Sequence, residues 1–242
     1  MEKKKEKRKI APPFFEVGPK VYLYGKQALQ LAKTADRCAE EYGVEIIFTA
    51  QYMDVAAIAS QTKNLLVFAQ HMDAVVQGRG VGAVLPEALQ EAGAVGVLLN
   101  HAEKPLTLSA ISDCIRRGKE TGLLTMVCAG TIEEAKAVAC LGPDIILAES
   151  PKLIGKGARS PEDMEEIQKI NAAVHSISND ILILHGAGIS DEKDVYEIIK
   201  AGADATGSTS GILSAKDPGM MLERMIQAVA KAWKSREKIP MK

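Results

Sequence analysis

Glu149 closes the apolar run Asp144-Ile145-Ile146-Leu147-Ala148 and opens the loop Ser150-Pro151-Lys152-Leu153-Ile154-Gly155-Lys156-Gly157. Earlier in the chain a second apolar run, Val95-Gly96-Val97-Leu98-Leu99, ends in Asn100-His101-Ala102-Glu103. A carboxylate and an imidazole at the carboxyl ends of two different strands make a base and an electrophile, the pair needed to move a proton on a carbon beside a carbonyl. Ile154, Gly155, Lys156 and Gly157 form a glycine-bearing stretch next to that base, a candidate lid. Two further clusters, Gly186-Ala187-Gly188-Ile189-Ser190 and Gly207-Ser208-Thr209-Ser210-Gly211, suit an anion, because glycine lets the backbone approach and successive N–H groups can cradle a phosphate. Both clusters, the second ending in Gly211, are therefore candidate phosphate-binding loops.

Such residues need a scaffold that gathers strand ends. Short apolar runs at 13–17, 44–49, 65–69, 95–99, 123–129, 145–148, 181–185 and 203–207 read as strands buried on both faces. Amphipathic segments at 25–42, 54–60, 85–92, 106–121, 132–139, 161–176, 191–201 and 218–234 alternate with them. Ser160-Pro161-Glu162-Asp163 carries a cap, a first-turn proline and acids, while Gly43, Gly93, Gly122 and Gly202 stand where helices end. Eight strand–helix units with no linker between halves predict a single closed (β/α)8 barrel over 10–236, with a basic tail at 1–9 and a short tail at 237–242. In this architecture the loops after the strands build the site, which singles out His101 and Glu149. Pro105 is expected to open the helix after strand four, and the positive end of that helix to keep His101 neutral.

Composition excludes several classes. The net charge of −1 offers no global attraction to nucleic acid or an anionic membrane. The basic run Met1–Lys9 has no apolar stretch after it, and no segment reaches membrane-spanning length. Cys38, Cys114, Cys128 and Cys140 lack paired spacing, as expected of reduced thiols in a cytoplasmic protein. His71, His101, His175 and His185 form no short metal motif, and a proton transfer without redox change calls for no cofactor.

Several stretches together resemble the triosephosphate isomerases of the short archaeal type. They are Phe68-Ala69-Gln70-His71, Leu85-Pro86-Glu87-Ala88, Leu98-Leu99-Asn100-His101-Ala102-Glu103, Ile154-Gly155-Lys156-Gly157, Gly186-Ala187-Gly188-Ile189-Ser190 and Ala215-Lys216-Asp217-Pro218. The resemblance implies a TIM barrel and an isomerase of a small phosphorylated sugar working through an enediolate. Glu149 would be its base, His101 its neutral electrophile and Glu103 an acid on the following turn. It further implies a lid tip at Ile154–Gly157, phosphate contacts from Gly155, Gly188 and Ser210, and a homo-oligomer, dimer or tetramer.

The first strand breaks the pattern. The family carries Asn-x-Lys there, whereas this chain reads Pro12-Pro13-Phe14-Phe15-Glu16-Val17-Gly18-Pro19-Lys20. Ungapped alignment puts Glu16 at the asparagine and Gly18 at the lysine; a two-residue shift puts Phe14 and Glu16 there. A glutamate facing a phosphate dianion would repel it by about 1 to 4 kcal/mol at 4 Å. Lys20 is near enough for a bent loop to return its ammonium to the site. Glu16, Lys20 and Asn100 are therefore substrate-site candidates. Val81 replaces the family's interface threonine, and Ala102 the serine that commonly follows the histidine. Two other readings compete: a lyase or epimerase on the same barrel, and a sugar-phosphate-binding or regulatory protein without turnover.

Overall fold

A computed structural model of the chain describes residues 8–154 and 159–236. Eight parallel strands close into a barrel in sequence order: β1 (Phe14–Val17), β2 (Glu45–Ala50), β3 (Leu65–Ala69), β4 (Gly96–Leu99), β5 (Leu124–Ala129), β6 (Ile145–Ala148), β7 (Leu182–His185) and β8 (Ala205–Gly207). Closure comes from the β1–β8 pairing, in which Glu16 stands opposite Gly207. The predicted (β/α)8 barrel is thus the observed fold.

Strand parity sorts the apolar residues into two layers. Phe14, Ile47, Leu66, Phe68, Leu98, Met126, Leu147 and Leu184 fill the barrel interior. Phe15, Ile46, Val67, Val97, Val127 and Ile183 point outward against the helices. Both sets are buried, which is why the strands read as continuous apolar runs and not as alternating ones. Alternate side chains nevertheless face opposite sides, so a residue two places past an interior one also faces the barrel axis.

The outer layer comprises α1 (Gly25–Tyr42), α2 (Tyr52–Ala59), α3 (Pro86–Glu91), α4 (Leu108–Thr121), α5 (Ile132–Ala139), α6 (Pro161–His175), α7 (Glu192–Lys200) and α9 (Pro218–Arg236). Between β8 and α9 lies α8 (Ser210–Leu213), a single turn that the periodicity had not indicated. Ser160 and Asp163 form a reciprocal capping box on α6. Gly43 and Gly122 end α1 and α4 in the left-handed conformation, each returning its N–H to a helix carbonyl. One expected start is corrected: α4 begins at Leu108, not at Pro105, because the Thr107 hydroxyl accepts the Ala110 N–H at 3.2 Å and caps the helix there.

Candidate active site

The site follows from the parity of the interior residues. Phe14 and Ile47 point into the barrel, so Glu16 and Thr49 face the same way near the carboxyl ends of β1 and β2. Leu147 does the same for Glu149, the residue just past β6. A cavity of about 220 Å³ lies over them, lined by Glu16, Lys20, Gln70, His101, Glu103 and Glu149 among others. A second cavity of about 140 Å³ shares Glu16, Lys20, Glu103 and Glu149 with the first and runs on to Gly186, Gly188 and Ser210. The two cavities place the loops after β7 and β8 beside the carboxylate–imidazole pair.

His101 Nε2 lies 3.2 Å from Glu149 Oε2. On its other side Nδ1 accepts the main-chain N–H of Glu103 at 3.1 Å. A ring nitrogen that accepts a hydrogen bond carries no proton, so in the neutral ring the proton sits on Nε2, the nitrogen nearer Glu149. The tautomer is therefore set by one peptide N–H in the Ala102-Glu103 turn. Ala102 offers no hydroxyl to Glu149, whose carboxylate meets the imidazole instead.

Lys20 enters the site through a bend. Its φ of 48° is left-handed, an arrangement that costs a non-glycine residue roughly 1–2 kcal/mol. Three contacts hold the turn: Tyr22 N–H donates to Pro19 O at 3.0 Å, Gln70 Nε2 donates to Lys20 O at 2.8 Å, and Thr209 Oγ1 donates to Gly18 O at 2.5 Å. The ammonium then meets Glu103 Oε1 at 2.7 Å. Glu103 is held below the usual carboxylate range chiefly by this hydrogen bond to Lys20.

Glu16 and Gly18 fit together at the end of β1. The Glu16 carboxyl folds back over the strand end. A Cβ added at Gly18 would stand 2.6 Å from Glu16 Oε1, and one at Gly207 would stand 2.7 Å from Glu16 O and 3.0 Å from Glu16 Oε2. No side chain fits at position 18 while Glu16 keeps this pose. Burial pushes the Glu16 carboxyl up to about 7; nearby Glu149 adds to the rise, while Thr49, His101 and Lys20 oppose it. The Thr49 hydroxyl is buried beside this carboxyl and makes no well-formed hydrogen bond.

Other candidates fall differently. Asn100 has both ends of its amide taken by main chain, donating to Cys128 O at 3.0 Å and accepting from Leu106 N at 2.9 Å. It braces the loop after β4 and lines a further cavity with Ala102, Glu134 and Glu149, but neither of the two cavities above. Gly211 packs against the loop after β7, where an added Cβ would stand 2.6 Å from Ile189 O, and it lines neither site cavity. Gly188, Ser210 and Ile154 do line the second cavity. Gly155, Lys156 and Gly157 lie outside the described residues.

Thr49, Gln70, Thr209 and Arg159 escaped the sequence reading. The first three stand at or just past strand ends, a position that marked His101 and should have marked them. The Arg159 guanidinium donates to Gly186 O and to Ala187 O, fixing the loop after β7. That loop holds Ala187 and Gly188 in consecutive left-handed conformations, with φ of 62° and 63°. Among the described residues, no group of three His, Cys, Asp or Glu side chains is arranged to hold a metal ion. No described helix is long and apolar enough to cross a membrane.

Comparison with known proteins agrees with the architecture. A sequence model of the family described as triosephosphate isomerase matches residues 17–229, starting one residue past Glu16. A triosephosphate isomerase of Methanobacterium bryantii is 39% identical over 213 residues, covering 87% of this chain and 94% of that protein. One of Sulfolobus acidocaldarius is 36% identical over 231 residues, covering 94% and 99%. The crystal structure of triosephosphate isomerase from Bartonella henselae superposes with a TM-score of 0.73 at 16% identity, covering 90% of this chain and 99% of that one, which supports the fold.

Proposed function

Since the chain belongs to the triosephosphate isomerase family, we propose that it interconverts an aldose and a ketose phosphate of three carbons, with Lys20 supplying the positive charge that β1 lacks. The observation that carries this reading is the convergence on one cavity of the Glu149–His101 pair and the Lys20–Glu103 ion pair.

The substrate's reacting carbons enter between Glu149 and His101, separating them. Glu149 takes the proton from the carbon beside the carbonyl, while His101 Nε2–H donates to the carbonyl oxygen. The resulting enediolate carries its charge on oxygens, next to the imidazole and within reach of Lys20. His101 moves a proton between the two oxygens, and Glu149 returns its proton to the neighbouring carbon. No electrons leave the substrate and no redox cofactor takes part. The loops after β7 and β8, with Gly188 and Ser210, receive the phosphate.

The reading includes self-association. Val21, Tyr22 and Tyr24 after β1, Met53 in the first turn of α2 after β2, and Val81 on the loop after β3 are exposed beyond three neighbouring strands. Apolar side chains grouped on adjacent loops suit a contact between copies of this chain. Sedimentation velocity checks this, with a single monomeric species counting against it.

Deuterium incorporation from heavy water tests the activity. Glyceraldehyde 3-phosphate and dihydroxyacetone phosphate are run beside erythrulose and ribulose phosphates, with Glu149→Gln as control. Fast exchange confined to the triose phosphates is expected. Exchange confined to a longer sugar would move the substrate assignment, and phosphate-ligand binding without exchange would favour the binding protein.

A further inference from the structure

Glu16 has no part in the reaction as written above, yet it lines both cavities and stands at their common floor. The surroundings are built around its carboxyl. Gly18 and Gly207 supply the space its oxygens occupy, and a Cβ at either position would approach one of those oxygens to 3.0 Å or less. Thr49 brings a buried hydroxyl without a well-formed hydrogen bond to the same place. A glutamate that is 9% exposed, with two glycines making room for its carboxyl, is a constructed feature of the cavity.

The charges facing Glu16 determine the form in which it can work. Glu149 approaches from the end of β6, His101 from the end of β4 and the Cys128 thiol from β5. Lys20 comes from the turn after β1, but Glu103 already takes its ammonium at 2.7 Å. Lys104 lies at the cavity margin, while β2, β3 and β8 contribute the uncharged Thr49, Gln70 and Gly207. An ionised Glu16 would put a second unneutralised carboxylate beside Glu149, and a phosphorylated enediolate would add more negative charge. Two such charges at 4 Å oppose each other by about 1 to 4 kcal/mol. A protonated carboxyl avoids that repulsion and presents an O–H donor in its place.

We propose that Glu16 works as a neutral carboxylic acid, donating a hydrogen bond from the cavity floor to an oxygen of the enediolate. This rests on the isomerase reading. Its ionisation, pushed up to about 7 by burial, becomes the limit on activity at alkaline pH. The site therefore holds two carboxyl groups in opposite states, Glu149 ionised to take a proton from carbon and Glu16 protonated to steady an oxygen.

The test compares the pH profiles of kcat/KM for the wild-type chain, E16Q and T49V. Wild type should lose activity up to tenfold per pH unit above an ionisation near 7. Glu16→Gln, whose amide donates at every pH, should be less active at its best but lack that alkaline limb. Thr49→Val removes a hydroxyl that favours the ionised form and should move the limb to higher pH. The same series is measured for affinity toward 2-phosphoglycolate, a two-carbon phosphorylated carboxylate, which needs no turnover. An alkaline limb unchanged in both E16Q and T49V would overturn the proposal while leaving the isomerase reading intact. Absence of turnover, together with an alkaline affinity loss that E16Q abolishes, would instead reject the isomerase reading and keep Glu16 as the donor to a bound phosphorylated anion.

Discussion

Lys20 Nζ and Glu103 Oε1 meet at 2.7 Å, across 83 residues of sequence, although Lys20 lies past the end of β1 where the family carries its lysine within the strand motif. The left-handed turn at Lys20 brings the chain back to the cavity. Replacing Lys20 by Met should lower kcat/KM about 100- to 1,000-fold, the loss expected when one electrostatic partner of a developing oxyanion is removed. Lys20→Arg should fall between the two, since its planar fork does not reproduce a compact ammonium. Steady-state kinetics with both triose phosphates checks this, and a thermal melt beside it shows whether the fold survives.

In the proposed reaction, Glu149 and His101 act on the same proton path from opposite sides. Glu149→Gln should reduce kcat by about 100- to 10,000-fold and leave KM within a few fold, because the amide keeps the shape but cannot take a proton. His101→Gln should lose activity within the same range. Since the two groups work as a unit, the double variant should be little worse than the poorer single one. Additive losses would show that the two do not share one step.

Glu16 and Gly18 form a coupled pair. Gly18→Ala puts a Cβ 2.6 Å from the Glu16 carboxyl oxygen, so either the carboxyl or the strand end must move. Gly18→Ala alone should be destabilised, and Glu16→Ala should relieve much of that loss. The interaction energy from a denaturation double-mutant cycle should be about 0.5–3 kcal/mol, the range for residues in contact. Strict additivity would mean that the glycine is not there for the carboxyl.

Glu16 also ties stability to pH. Its folded-state value is raised from 4.5 to about 7, so the folded chain holds this proton more tightly than the unfolded one. The contribution is fully present below pH 4.5 and is lost as pH rises through about 7, amounting to roughly 3 kcal/mol between those limits. Urea unfolding should show Glu16→Gln gaining on wild type by about that amount between pH 4.5 and pH 8. A constant difference across the range would remove the burial argument for Glu16.

Much of this was legible in the residues. Strand positions came out within a residue or two because interior and exterior faces are both apolar, and the strand-end rule then pointed to His101 and Glu149. Other details were not legible, each for a physical reason. That a bend could return Lys20 to the site was legible, but its form was not, since it depends on a non-glycine residue adopting positive φ and on Gln70 and Thr209 from other loops. Thr49 read as part of an apolar strand, although its parity with Ile47 aims it into the cavity. The turn of α8 is too short for any periodicity to register, and the competition between Pro105 and Thr107 to start α4 was decided by a hydroxyl cap.

The central claim is that Lys20 restores isomerisation to a site whose first strand has none of the expected cation. The most direct measurement is deuterium incorporation from heavy water into dihydroxyacetone phosphate, run on wild type and Lys20→Met at equal enzyme concentration. Rapid exchange by wild type and exchange at least about 100-fold slower in Lys20→Met is the predicted result. Equal rates in the two proteins, or none in a wild-type chain that still binds the phosphate, would contradict it.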